Sequence, residues 1–367
     1  MSREDAAARL GAEKRRMFVA ATAASILAPL VPYVTGVWES GWYALAAVPL
    51  PLPIRVVSFL AIFHLLVDVV VVPIAFYSGL VLPRAFGLSR QSVGDWCLDW
   101  LKATILGTVL GVLAGGVFLW SIVTFGPNWW WVFGLFLSGV VLGLVFLTPY
   151  VLVPLFFKMR PLADRVAAER IRRLVRRAGA EISDVCSLDF SRRTAEANAA
   201  VIGMGRSRRV VLADTLLTEF SPDEVDAVIA HEIGHHVHHH VQRLLLGNGL
   251  LLWAGLALAA WIAPRALPVL SLPSLAYVPG YPVVFAVAEL FLVLVAPALN
   301  WWSRRLETDA DRFALELTAD PAAFMAAMRR LAQQNLVEIR PPRWAELLLA
   351  SHPALYRRIA LAQSWSA

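Results

Sequence analysis

The chain has 367 residues, 58% of them hydrophobic and only 16% charged, whereas a soluble domain carries about 25% charged residues. This excludes an ordinary water-soluble protein and predicts a predominantly α-helical polytopic membrane protein. A net charge of +6 could suit nucleic acid, but the basic residues are placed to meet a membrane surface, and no nucleic-acid partner is expected.

Residues 1 to 16 are polar and helix-prone and end in Lys14, Arg15 and Arg16, just before an apolar run over 17 to 37. At about 1.5 Å per residue that run crosses a ~30 Å hydrocarbon layer. Its length, and the lack of a clean small-x-small site before the next span, argue against a cleaved signal peptide. A Pro-rich connector ending in VPLPLPIR occupies 38 to 55, and further spans are predicted near 56 to 82, 103 to 125 and 129 to 157. Trp129, Trp130 and Trp131 stand where an interfacial aromatic belt would put them. The polar segment FGLSRQSVGDWCLDWLK separates the second and third spans.

After Lys158 the character changes. Residues 158 to 243 hold 14 of the 33 basic residues and no spanning run, so they form a water-exposed segment. An amphipathic helix is predicted over 161 to 178, then two short strands in DVCSLDF and RRVVLA around a turn with Gly203 and Gly205, a small β-hairpin or sheet. Ser221-Pro222-Asp223-Glu224 starts a helix, with Ser at the N-cap, Pro at the first helical position and Glu224 closing a capping box. Two more spans follow near 244 to 263 and 282 to 302, and 303 to 367 is again mixed and helical.

The organisation is therefore a four-span membrane domain (1 to 157), a cytosolic segment (158 to 243), two further spans (244 to 302) and a C-terminal segment (303 to 367). Six spans put 31 of the 33 Lys and Arg residues on one side and only Arg55 and Arg265 on the other. The positive-inside rule makes the rich side cytoplasmic. Cys97 and Cys186 lie far apart in unlike surroundings and read as reduced thiols.

The helix begun at Ser221 runs into AVIAHEIGHHVHHH, where His231, Glu232 and His235 stand in the order H-E-x-x-H. Residues four apart share a helix face, so His231 and His235 can offer two imidazole nitrogens to one ion. A carboxylate beside the ion's open position can take a proton from water, the arrangement of a zinc peptidase. Five residues with three fixed letters also arise by chance, and two histidines leave Zn²⁺ short of a protein ligand. The best source of a third is SRRLETDADRFA, in which Glu307 and Asp311 share a face: one can bind the metal while the other hydrogen-bonds a ligand imidazole. Asp309 points elsewhere. Taken alone, such an acidic stretch is equally a solvated, dipole-favoured helix start. Its location on the same membrane side as HEIGH favours the site.

Seven pieces in order, FGLSRQSVGDWCLDWLK, PLFFKMRPL, SRRTAEANAAVIG, RRVVLADTLL, AVIAHEIGHH, SRRLETDADRFA and SHPALYRRIALA, cover most of the chain. Together they resemble the type I CAAX prenyl protease family of integral-membrane zinc metalloendopeptidases, a bacterial member of which the chain is identified as. The resemblance implies a zincin-like domain facing the cytoplasm. It implies one Zn²⁺ on His231, His235 and Glu307, with Asp311 in support and Glu232 as general base. It also implies that Asn198 and His352 contact the substrate backbone or the developing oxyanion, and that Arg358 is the family's functional Arg. Without it, Asn198 reads as a turn residue, His352 as a loop residue before Pro353 and Arg358 as a surface charge.

The chain also departs from that pattern. Eukaryotic members have seven spans, and here the Pro-rich 38 to 55 connector stands where the seventh would fall. His236, His238, His239 and His240 extend the histidine run, and His235/His239 is a second i, i+4 pair; these read as solvated or supporting groups rather than a second metal site. His64, Asp68 and Glu289 are ionisable groups at membrane depth, which either line a wet cavity or hydrogen-bond between helices. Glu289 precedes Glu307 by 18 residues, about 27 Å along a straight helix, too far to share its ion. The expected activity is zinc-dependent hydrolysis of peptide or protein substrates, lipidated or not, at a bacterial inner membrane. The alternatives are a non-catalytic membrane scaffold, from which one of the four site residues would typically be missing, and a zinc transporter, which would need His64, Asp68 and Glu289 on one path.

Overall fold

A computed structural model describes residues 2–203 and 208–365. Helix α1 (Arg3–Val34) starts at Ser2, whose hydroxyl and Asp5 form a capping box. The polar start and the first apolar run are thus one helix, ended by Gly36 at φ +75°. Helix α2 (Val37–Ala47) has 11 residues, about 16 Å, too short to cross a bilayer. It corrects the expectation of a plain connector. Its Trp38 is buried, donates to the Pro29 carbonyl at 2.9 Å and packs edge-on against Phe59 and Phe63. The pull of these aromatics winds 37 to 47 into a helix; the prolines from 49 onward stop it.

Helix α3 (Leu52–Phe76) continues through a π-helical turn, Tyr77–Val81, into α4 (Leu82–Ala85). Helices α5 (Val93–Phe125) and α6 (Trp129–Leu147) are joined at Gly126–Asn128, where Gly126 takes φ +52°. Phe118 meets both Trp129 and Phe133 at 5.3 and 5.4 Å between ring centres, so α6 folds back along α5. A second π turn leads into α7 (Val153–Phe156). Among the described residues, five helical runs are long and apolar enough to cross a membrane: Arg3–Val34, Leu52–Ala85, Val93–Phe156, His240–Val269 and Val278–Thr318. The six predicted spans fall on these five runs, two of them on the bent run Val93–Phe156.

Outside these long apolar runs the chain builds a four-stranded sheet of order β1-β2-β4-β3, comprising β1 (Met159–Pro161), β2 (Asp184–Leu188), β3 (Ala199–Ile202) and β4 (Arg209–Ala213). The two predicted strands, β2 and β4, are neighbours but run parallel, so they are not a hairpin. A parallel pair needs a long return, and the residues between them supply β3, which pairs antiparallel with β4 as an edge strand. Gly203 follows β3 at φ +91°; Gly205 lies outside the described residues. Helix α8 (Arg165–Arg177) begins four residues later than expected, because Pro161 belongs to β1 and Asp164 caps the helix by accepting from Val166 and Ala167 N–H.

Behind the sheet stand α9 (Asp214–Glu219), α10 (Pro222–Val237) and the C-terminal helices α13 (Pro321–Gln334), α14 (Arg343–Leu348) and α15 (Leu355–Trp365). The Ser221–Glu224 capping box forms as predicted, and Glu224 also pairs with Arg330. Ile171, Leu212, Ile229, Ile233, Leu315, Phe324 and Met328 share one core, each contributing about 1.5–3 kcal/mol by burial. Two long helices connect core to membrane: α11 (His240–Val269) and α12 (Tyr281–Thr318). The predicted last span is thus the first half of a 38-residue helix whose second half enters the core.

Candidate active site

Two helices make the centre. On α10, His231 and His235 lie one turn apart; on α12, Glu307 faces them. His231 Nε2 is 3.2 Å from His235 Nε2 and 3.2 Å from Glu307 Oε2, and His235 Nε2 is 3.4 Å from Glu307 Oε1. A tetrahedral zinc ion with bonds of about 2.0–2.1 Å has ligand–ligand edges of about 3.3 Å, so these separations, the two to Glu307 running to its different oxygens, fit that ion with the carboxylate facing both rings. Glu307 Oε2 is buried and lacks a hydrogen bond of good geometry, although His352 Nδ1 stands 2.8 Å away. A buried anionic oxygen in that state calls for a cation to offset it.

The close approach depends on Gly234. A Cβ there would lie 3.1 Å from Phe313 Cδ1 and 3.2 Å from the Ala310 Cα of α12. The glycine inside HEIGH lets the two helices touch and brings Glu307 to the histidines.

Asp311, one turn beyond Glu307 and 1% exposed, sets its Oδ1 2.9 Å from His231 Nδ1. Arg358 of α15 holds Asp311 in a two-pronged grip, with Nε to Oδ2 at 2.8 Å and Nη2 to Oδ1 at 2.5 Å, and its Nη2 is 3.2 Å from His231 Nδ1. The ring is thereby fixed with Nε2 toward His235 and Glu307. Burial, and then Arg358, push the His231 pKa down, but the neighbouring carboxylates of Asp311 and Glu307 outweigh them and hold it at about 9. Burial and the neighbouring His231 lower His235 to about 4. Glu232 is half-buried; burial raises its carboxyl, His231 opposes and Glu307 reinforces that shift. A carboxylate pushed toward neutrality is a better proton acceptor than one in water.

The remaining predicted residues are placed differently from one another. His352 is exposed, in the turn before α15, and reaches Glu307. Asn198 is exposed at the start of β3, its carbonyl accepting from Ala213 N–H. His236 Nε2 lies 2.9 Å from the Val201 carbonyl and ties α10 to that edge strand. Asp309 pairs with Arg312, away from the histidines and Glu307. His64 Nε2 is 3.5 Å from the Tyr281 hydroxyl, an interhelical contact. Neither His64, Asp68 nor Glu289 lines the apolar cavity of about 880 Å³ that lies among α5, α6, α11 and α12. Cys97 and Cys186 are free thiols.

Of the extra histidines, the expected His235/His239 pair does not form. Helix α10 ends at Val237, His239 takes the left-handed conformation at φ +55° and is exposed, and His240 sits with Nδ1 3.1 Å from His235 Nδ1. Nothing in HVHHH signals that break, since neither Gly, Pro nor Asn marks it.

A family model described as peptidase family M48 matches residues 161–366, and one described as CAAX prenyl protease N-terminal, five membrane helices, matches residues 4–158. The uncharacterized metalloprotease YhfN of Bacillus subtilis is 27% identical over 324 residues, 87% of this chain and 75% of that protein. CAAX prenyl protease 1 of Saccharomyces cerevisiae is 31% identical over 222 residues, 58% of this chain and 49% of its own length. The crystal structure of S. mikatae Ste24p superposes with a TM-score of 0.81, covering 91% of this chain and 82% of that one at 24% identity, a likeness of fold.

Proposed function

The chain belongs to peptidase family M48, and from that premise we propose that it is a membrane-embedded zinc endopeptidase whose metal is held by His231, His235 and Glu307. It cleaves peptide or membrane-associated protein substrates from the cytoplasmic side of a bacterial inner membrane. The observation that carries this reading is the cluster of His231, His235 and the Glu307 carboxylate, with separations of 3.2, 3.2 and 3.4 Å, beside a half-buried Glu232. Bound Zn²⁺ would supply Lewis acidity, lowering the pKa of water at its open position and polarising the scissile carbonyl.

The chain's own residues do the rest. Glu232 takes the proton of the attacking water and returns it to the leaving amine, which its raised pKa favours. His352, exposed and within reach of Glu307, can donate a hydrogen bond to an oxyanion beside that ligand. Asn198, at the open end of the edge strand, contacts substrate backbone. Arg358, expected among the catalytic residues as the family's functional Arg, grips Asp311 with its guanidinium, and we read its role as positioning His231 through Asp311.

The yeast relative is named CAAX prenyl protease 1, and a lipidated peptide is one substrate class open to this chain; non-lipidated peptides or damaged membrane proteins are the other. The scaffold reading loses ground because His231, Glu232, His235 and Glu307 are all present. The transporter reading loses ground because none of His64, Asp68 and Glu289 lines the apolar cavity among the membrane helices. The test is N-terminal proteomics of cells carrying wild type or Glu232→Gln: new N-termini in membrane-associated proteins vanish in the variant. Identical N-terminal profiles would refute the peptidase reading.

A further inference from the structure

We propose that His240 is a positioning residue of the metal centre: it accepts the Nδ1–H of His235 and so turns the His235 Nε2 lone pair toward the ion. The inference rests on the zinc reading, and it adds a residue that the HExxH pattern does not contain. Two imidazole nitrogens 3.1 Å apart must divide the roles, one carrying the proton and the other the lone pair. If His235 binds metal through Nε2, its proton is on Nδ1, and His240 Nδ1 is the acceptor. Both ligand rings are then held from behind, His231 by Asp311 at 2.9 Å and His235 by His240.

The backbone is shaped for this contact. In an unbroken helix a residue five positions on lies about 140° round the axis, and His240 would face away from His235. The left-handed His239, an uncommon conformation for a residue with a side chain, breaks the helix and swings His240 back. His240 is 1% exposed. His238 stacks on its ring at 5.6 Å and 21°, and Phe313 of α12 closes edge-on against His238 at 5.3 Å. His240 Nε2 is buried and makes no hydrogen bond among the described residues. With Nδ1 as the acceptor the His240 proton lies on this Nε2, a buried donor whose cost the arrangement carries; the ring is held in place by its burial and its stacking on His238.

The choice of a neutral ring also fits the charge of the site. Glu307, Glu232 and Asp311 bring three negative charges and Arg358 one positive, which balances a dication. A carboxylate behind His235 as well as behind His231 would leave the centre negative and blunt its pull on a carbonyl.

The test is competitive zinc titration of full-length protein in detergent, stripped of metal, against a chromogenic chelator. His240→Asn places an amide oxygen close to where Nδ1 was; His240→Gln places it close to Nε2 instead. Both substitutions are polar and of similar bulk, so the pair separates hydrogen bonding from folding. His240→Gln is expected to weaken zinc binding about 10- to 100-fold, with His240→Asn within about threefold of wild type. Equal affinity in His240→Gln and wild type overturns the proposal, as does equal loss in both variants. Two zinc ions per wild-type chain, falling to one in His240→Gln, overturns it in favour of a second metal site. Wild type that binds no zinc would instead take down the zinc reading on which the proposal stands.

Discussion

Asp311 illustrates how much of the site depends on residues that touch no substrate. Its carboxylate orients His231 and is itself gripped by Arg358, and all three are buried. Asp311→Asn keeps the shape but halves the acceptor capacity and leaves the buried guanidinium without its counter-charge. Zinc affinity, read by chelator competition, should fall about 10- to 100-fold, and the melting temperature should fall with it, since an unpaired buried charge costs about 3–5 kcal/mol. Zinc affinity equal to wild type would show that Asp311 does not orient the ligand. The pairs His231/His235 and Glu307/Asp311 were legible in the sequence because helix periodicity places residues four apart on one face; the choice of Glu307 over Asp311 as the expected ligand came from the family resemblance. His240 was not, because its position depends on a helix break at His239 that no breaker residue announces. Arg358 was picked out by resemblance, but its partner was not, since a contact 47 residues away leaves no trace in local spacing.

Among the elements, the crossing of α10 and α12 decides whether a site exists at all. Both helices are predictable as helices; how closely they approach is not, and Gly234 is the residue that sets it. Gly234→Ala would press a methyl group against the Ala310 backbone at 3.2 Å, and a backbone cannot rotate out of the way. The expected outcome is a loss of about 1–3 kcal/mol in stability together with weakened zinc binding, because Glu307 moves with α12. Gly249→Ala on α11, where a Cβ meets nothing within 4 Å, is the control and should leave both unchanged. Equal behaviour of the two variants in thermal melts and zinc titration would contradict this account of the crossing. The sheet shows the same limit of local signals: β2 and β4 were readable from their branched residues, but their parallel pairing and the edge strand β3 follow from tertiary pairing.

At the scale of the whole molecule, charge and hydropathy are informative because the bilayer imposes them on every segment at once; they predict the spans, and the charge asymmetry is the basis on which we propose a cytoplasmic face. Packing between segments is less visible. The polar start of helix α1 buries Leu10 against Leu82 and Leu88, while Arg15 pairs with Glu338 at 2.8 Å. The N-terminal helix and the C-terminal segment are thereby fastened to each other, on the side where α12 delivers Glu307. Because the metal would join α10 to α12, removing it should loosen the whole assembly: a ligand at 1,000 times its Kd contributes about 4 kcal/mol. Chelator should lower the melting temperature of wild type by several degrees, and of Glu307→Gln by much less; an equal shift in both would mean that the ion is not held there. The most direct test of the central claim is peptide cleavage by purified Glu232→Gln in detergent, with zinc content measured on the same sample and a chelator-treated wild type beside it. The account predicts one zinc per chain and cleavage reduced at least ~100-fold, whereas undiminished hydrolysis by the zinc-loaded variant would contradict it.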